Sequence, residues 1–120
     1  MLNSYRDLKV WQKSVELVVE IYKLTNFFPK NELYGLTMQM RRAAVSIPSN
    51  IAEGYSRKHR QEYAQFIRIA FGSGAELETQ IFIAKKLRLA PSHKFIRSEE
   101  LLSEVMKMLN GLNNSLVARP

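Results

Sequence analysis

Apolar residues recur every three or four positions through most of the chain, and the runs are cut where proline, glycine or clustered polar residues intervene. In the first run Leu8, Trp11, Val15, Val18 and Tyr22 keep that spacing. At about 100° per residue they fall on one stripe, which predicts the core face of a helix from Ser4 to Asn26. The Ser4 hydroxyl can cap the Asp7 N–H, and the Asp7 carboxylate suits the first turn. Phe27-Phe28-Pro29-Lys30-Asn31 then stops the run. Pro29 disfavours helical geometry at Phe28, and Asn31 can cap the next helix.

A second helix, Glu32 to Tyr55, places Leu33, Leu36, Met40, Ala43, Ile47 and Ile51 on one face. Pro48 interrupts it, lacks an N–H for the Ala44 carbonyl, and predicts a kink. After Gly54 a basic turn leads to a third helix, Gln61 to Leu89, with Tyr63, Phe66, Ala70, Gly74, Leu77, Ile81 and Ala84 facing inward. Pro91 and Ser92 end it. The fourth carries Leu101, Leu102, Val105, Met108, Leu109, Leu112 and Leu116 on a single stripe. Long helices with short connections favour antiparallel neighbours, so the expected fold is all-α, one up-and-down antiparallel four-helix bundle over residues 1–120. A DNA-reading helix-turn-helix needs shorter helices and a tight angled turn.

The first helix has apolar residues to spare. Val10, Leu17, Ile21, Leu24 and Phe28 form a second stripe roughly opposite the first, and the third helix repeats the excess with Ile69, Phe71, Phe82 and Ile83. A helix apolar on two sides has to be covered on both, so Val10, Leu17, Ile21, Leu24, Phe28, Phe71, Phe82 and Ile83 are candidate contacts with a second copy of the chain. The stripes alone do not choose between a ring and a dimer.

Composition narrows the chemistry. The 120 residues include 46% hydrophobic and 24% charged residues, a globular balance. There is no cysteine, which excludes disulfides, thiolate nucleophiles and cysteine metal sites and fits a reducing, cytoplasmic setting. Charges occupy the opening segment where a secretory signal would be apolar, and no later apolar run reaches membrane-spanning length. The net charge of +7 favours nucleic acid or an acidic protein surface as partner. Arg57, Lys58, His59 and Arg60 form the densest basic cluster, which can equally be a solvated surface.

The stretch Gln39-Met40-Arg41-Arg42-Ala43-Ala44-Val45-Ser46-Ile47-Pro48-Ser49-Asn50-Ile51-Ala52-Glu53-Gly54 adds a polar stripe of Gln39, Arg42, Ser46, Asn50 and Glu53 beside the apolar face. These side chains can fix the packing register around Pro48 or line a ligand site. Gly72 and Gly74 each cost about 1 kcal/mol in a helix relative to alanine, which points to close approach by a neighbouring helix or subunit, or by a phosphate backbone. Glu76 and Glu78 sit two apart and face different sides, so they cannot work as a pair. His59 and His93 lack a glutamate three positions before them, the spacing a di-metal bundle uses. With Asp7 the single aspartate and no phosphate-binding glycine loop after a strand, neither catalytic residues nor cofactor nor metal is expected.

The run QMRRAAVSIPSNIAEG, with LKVWQKSVELVVEIYKLTNFFPKNELYGLT before it and FIRIAFGSGAELETQIFIAKKL after it, resembles the four-helix bundle proteins encoded in 23S ribosomal RNA intervening sequences. The likeness spans nearly the whole chain and implies a small basic bundle that assembles into homo-oligomers, with a ring-shaped pentamer as the expected form. The fold is also similar to the accessory protein of diversity-generating retroelements, which implies binding to nucleic acid and to a nucleic-acid enzyme. His59 stands where members of the family place a hydroxyl residue to cap the third helix.

Together these readings describe a non-catalytic, homo-oligomeric binding protein for RNA or a nucleic-acid-associated protein, with no membrane partner. Arg41, Arg42, Arg57, Lys58, Arg60, Lys85, Lys86 and Arg88 are its candidate phosphate contacts. A structural protein-interaction module with incidental charge is the alternative, and an enzyme with a site shared between subunits is a more distant one.

Overall fold

Ser4 and Asp7 cap the start of the chain reciprocally. In the computed structural model, which describes residues 2–117, the Ser4 hydroxyl accepts the Arg6 N–H at 3.0 Å and Asp7 Oδ2 accepts the Ser4 N–H at 3.2 Å. Residues 1 and 118–120 of the expected 1–120 domain lie outside the described residues. The cap closes a single 3-10 turn, Tyr5–Asp7, and extended geometry at Leu8 separates it from helix α1, Lys9–Thr25. The expected first helix is therefore two pieces.

After Pro29 comes a 3-10 turn, Lys30–Glu32, then a π-helical turn, Leu33–Thr37, in which Gly35 departs from helical geometry (φ −108°, ψ −114°). Glu32, rather than the expected Asn31, caps this turn by accepting the Leu36 N–H at 3.4 Å. Regular α2, Met38–Tyr55, thus begins later than the apolar spacing predicts, with Pro48 buried inside it. Helix α3, Arg60–Lys86, begins at His59, whose side chain makes no cap. It ends where Arg88 adopts the left-handed conformation (φ 56°). A 3-10 turn, Ser92–Phe95, leads into α4, Ile96–Val117.

Each helix packs on its sequence neighbours, and α4 closes against α1. The cross-helix contacts run in opposite chain directions. Arg97 reaches Glu16 and Lys13 reaches Glu104, while Phe28 meets Phe95 at one end. The expected antiparallel four-helix bundle is the observed fold, about 49 Å long and 24 by 22 Å across. One end holds the α2–α3 turn. The other holds the α1–α2 and α3–α4 connections.

The core draws on all four helices, including Met40, Ile47 and Ile51 of α2, Ile67, Leu77 and Ile81 of α3, and Leu101, Val105 and Leu109 of α4. Two glycines mark close approaches. A methyl group on Gly54 would fall 2.7 Å from Phe66 Cβ, and one on Gly74 would run into the Met106 sulfur of α4. Gly72 has open space beside it, so only one of the two mid-helix glycines is explained by packing within the chain.

On α1 the two apolar stripes exchange roles. Val10, Leu17, Ile21, Leu24 and Phe28, expected at a subunit interface, are all buried in the core, and Leu17 and Ile21 have no exposed surface. Trp11 and Val18 are only partly buried, and Tyr22 is exposed. The reason is that the true core stripe contains Ser14 and Thr25, which interrupt it as an apolar pattern. Their hydroxyls donate to the Trp11 and Ile21 carbonyls at 2.8 Å each, so both residues can be buried without an unpaired group.

Candidate nucleic-acid interface

The eight nominated cations do not form one patch. Arg41 is committed to the fold: its Nε donates to Thr25 Oγ1 at 2.9 Å, a terminal nitrogen donates to Asn26 Oδ1 at 3.1 Å, and its guanidinium lies 4.5 Å from the Tyr22 ring centre. It ties the start of α2 to the C-terminal end of α1, where a cation suits the helix dipole. Arg42, one position on, is exposed.

At the α2–α3 turn Arg57 pairs with Glu53 at 2.9 Å and lies over the Phe66 ring, whereas Lys58 and Arg60 are exposed without a carboxylate partner among the described residues. Lys85, Lys86 and Arg88 sit at the far end of α3. Lys85 pairs with Glu99 at 3.0 Å, and the Lys86 ammonium stands 5.4 Å from the Phe82 ring centre. The positive charge is thus divided between the two ends of the bundle.

The five members of the polar stripe meet three different fates. Ser46 and Asn50 join across the α2–α3 seam: Asn50 Nδ2 donates to the Ser46 carbonyl at 2.8 Å and to its hydroxyl at 3.0 Å, and that hydroxyl lies 2.8 Å from Ser73 Oγ. Glu53 turns to Arg57, and Gln39 and Arg42 face solvent. The stripe is therefore split rather than continuous. Ser73 completes the seam and was hidden in sequence between Gly72 and Gly74. Two turns along α3, Gln80 donates to Glu76 at 3.3 Å, while its buried Oε1 has no protein partner.

Of the candidate interface residues, Phe71, Phe82 and Ile83 are exposed, Phe82 at 62%. Phe82 borders a hollow between α3 and α4 with Glu78, Lys85 and Glu99. On the opposite side Tyr22, Met38 and Val45 line a shallow hollow with Arg41 and Arg42.

The sequence pattern also passed over Phe27. It lies outside every apolar stripe and next to a proline-containing stop, which is itself the signal: a large ring with no place in the core. Its side chain is exposed, with the Lys94 ammonium 4.3 Å from the ring centre.

Among the described residues no three histidine, aspartate or glutamate side chains gather where they could hold a metal ion, and no helix is long and apolar enough to cross a membrane. The Tyr63 phenol is pushed above the usual tyrosine range, mainly by burial and secondarily by the nearby Tyr55 phenol.

Fold and surface together define a small, basic, antiparallel four-helix bundle whose nominated cations fall near its two ends. Within that class the chain belongs to the 23S rRNA-intervening sequence protein family, whose model matches residues 6–111. No curated protein matches the chain.

Proposed function

We propose that this protein is a non-catalytic, cytoplasmic, self-associating binding protein whose ligand is RNA. One observation carries the reading. Arg42, Lys58, Arg60, Lys86 and Arg88 are exposed and without carboxylate partners among the described residues, which leaves them available to phosphate oxygens. The family's description by 23S rRNA intervening sequences supports an RNA-related role. Self-association is supported by the exposed apolar residues on opposite sides of the bundle, Val19 and Tyr22 on α1 and Phe71 and Phe82 on α3. An interface joining two such different surfaces is heterologous, which gives a ring where the rotation closes, and the family resemblance favours a closed ring of five subunits.

The decisive measurement is capture of partners from cell lysate with and without nuclease, followed by affinity for the captured RNA across a salt series. RNA recovered only without nuclease, with affinity falling steeply with salt and a shallower slope for Lys58→Glu/Arg60→Glu, is the expected outcome. Protein partners that survive nuclease and ignore salt would replace this reading with the protein-interaction module. Light scattering of the purified protein tests self-association, and a monomeric mass would remove that part.

A further inference from the structure

We infer that the end of the bundle built from the α1–α2 and α3–α4 connections binds unpaired nucleotides of a single strand, with the Phe27 ring as a stacking surface for a base. The inference rests on the nucleic-acid reading above and adds to it a strand type, an end of the bundle and a base-contacting side chain.

Phe27 and Phe28 are adjacent and have opposite environments. Phe28 is buried against Phe95, whereas Phe27 is 52% exposed. The backbone holds it there, because the Phe27 N–H donates to the Leu24 carbonyl at 3.0 Å and the Phe28 N–H to the Thr25 carbonyl at 3.0 Å. The ring forms the shared wall of two hollows. Glu20, Lys23 and Lys94 border the first, Lys85 and Arg88 the second. Four cations therefore surround one ring with a single carboxylate among them.

That carboxylate is answered by Lys23 at 3.5 Å, and Lys85 is answered by Glu99. Lys94 and Arg88 remain without carboxylate partners among the described residues. Lys94 lies over the ring by a cation–π contact, which is weak at an exposed site and readily exchanged for a phosphate on a flexible stem.

An aromatic face flanked by two unpaired cations, Lys94 and Arg88, matches what a single strand offers: a base face and a phosphate on each nucleotide. A duplex conceals its base faces, so it would use only the charges. A second copy of the chain suits this end poorly, since it would bring further positive charge against Lys94 and Arg88. An acidic peptide would satisfy the cations and leave the ring without a partner.

The test uses the full-length protein and fluorescence anisotropy, with strands compared at low salt and slopes taken from a salt series. Its probes are a labelled oligouridylate of about 12 nucleotides, an abasic strand of equal length and an RNA duplex of the same length. Wild type should prefer the oligouridylate. Phe27→Leu, which keeps an apolar side chain and loses the π-face, should weaken that binding about 5- to 100-fold and leave the abasic strand unchanged. Phe27→Trp should restore it. Tyr34→Ala, which removes an aromatic side chain 86% exposed but outside both hollows, should have no effect. Lys94→Ala should lower the salt slope by about 1 for every strand.

Equal affinity for natural and abasic strands, or a Phe27→Leu protein of native melting temperature and unchanged oligouridylate affinity, would overturn the inference while the RNA reading stands. So would a preference for the duplex. Displacement by poly-glutamate with no preference for bases would replace the strand with an acidic protein segment. Failure to bind any of the three probes would remove both readings.

Discussion

The hydroxyls of Ser46 on α2 and Ser73 on α3 lie 2.8 Å apart, and the Asn50 amide donates to Ser46 from the same side. This contact favours one register of the α2–α3 pair, because one turn of slip would separate the two hydroxyls from each other while Asn50, on the same helix, stayed with Ser46. A Ser46→Ala/Ser73→Ala double-mutant cycle in urea should give a coupling of about 0.5–1.5 kcal/mol. Asn50→Leu should cost about 1–3 kcal/mol, since it leaves the half-buried Ser46 oxygen short of a donor. Zero coupling would mean that apolar packing alone fixes the seam.

Leu17 and Val19 separate the two faces of α1. Leu17→Ala should cost about 2–5 kcal/mol in chemical denaturation, whereas Val19→Ala should leave the stability of the bundle itself within about 0.5 kcal/mol and act on oligomer mass instead. Leu17→Glu/Ile21→Glu, which would only reduce oligomer mass if that stripe faced a neighbour, should instead abolish cooperative folding, because it puts two unpaired charges into the core. Circular dichroism melting of the double variant distinguishes the two outcomes. A folded, smaller particle would return Leu17 and Ile21 to an interface.

This exchange of stripes marks how far the sequence could be read. Helix number, the positions of the connections and the inner faces of α3 and α4 were legible, because each depends on local spacing and on Pro29, Pro91 and the basic turn at Arg57. The inner face of α1 was visible as one of two apolar stripes but not as the inner one, because Ser14 and Thr25, whose hydroxyls bond to their own helix, thin it and leave the other stripe looking more continuous. Candidate cations were legible as residue types only. Whether Arg41 is free or held by Thr25 and Asn26 depends on side chains 15 and 16 positions away, which no local pattern contains. Gly35 likewise gave no sign that the second helix would open with a π turn.

Tyr63 gives the bundle an alkaline weakness. Its folded-state pKa lies above the ordinary 10.0, chiefly through burial. The folded protein therefore retains the phenolic proton more strongly than the unfolded chain. The stabilisation is complete below about pH 10 and is lost as pH rises through the higher folded-state value. Unfolding free energies of wild type and Tyr63→Phe, measured from pH 8 to 11.5 and subtracted, should be parallel up to about pH 10 and then diverge, with wild type losing more. Lysine titration acts on both proteins and cancels in the difference. Parallel curves throughout would mean that Tyr63 ionises in the folded state without penalty.

Arg88 closes α3 in a position glycine usually takes. The Leu89 N–H returns to the Ala84 carbonyl at 3.1 Å and the Arg88 N–H to the Lys85 carbonyl at 3.1 Å, the paired bonds of a Schellman cap, with Arg88 itself left-handed at φ 56°. A side chain in that region costs about 1–2 kcal/mol, part of which glycine returns through the greater freedom of its unfolded chain. Arg88→Gly should therefore be more stable than Arg88→Ala by about 1 kcal/mol, with a melting temperature a few degrees higher. The alanine variant is the proper reference, because both changes remove the same cation from the end of α3 and its interaction with the helix dipole. Nucleic-acid binding should not follow stability: if Arg88 meets a phosphate, both variants lose the same fraction of affinity and the same increment of salt slope. Equal stabilities would mean that the cap carries no strain, and a binding loss confined to the glycine variant would assign Arg88 a backbone role instead of a charged one.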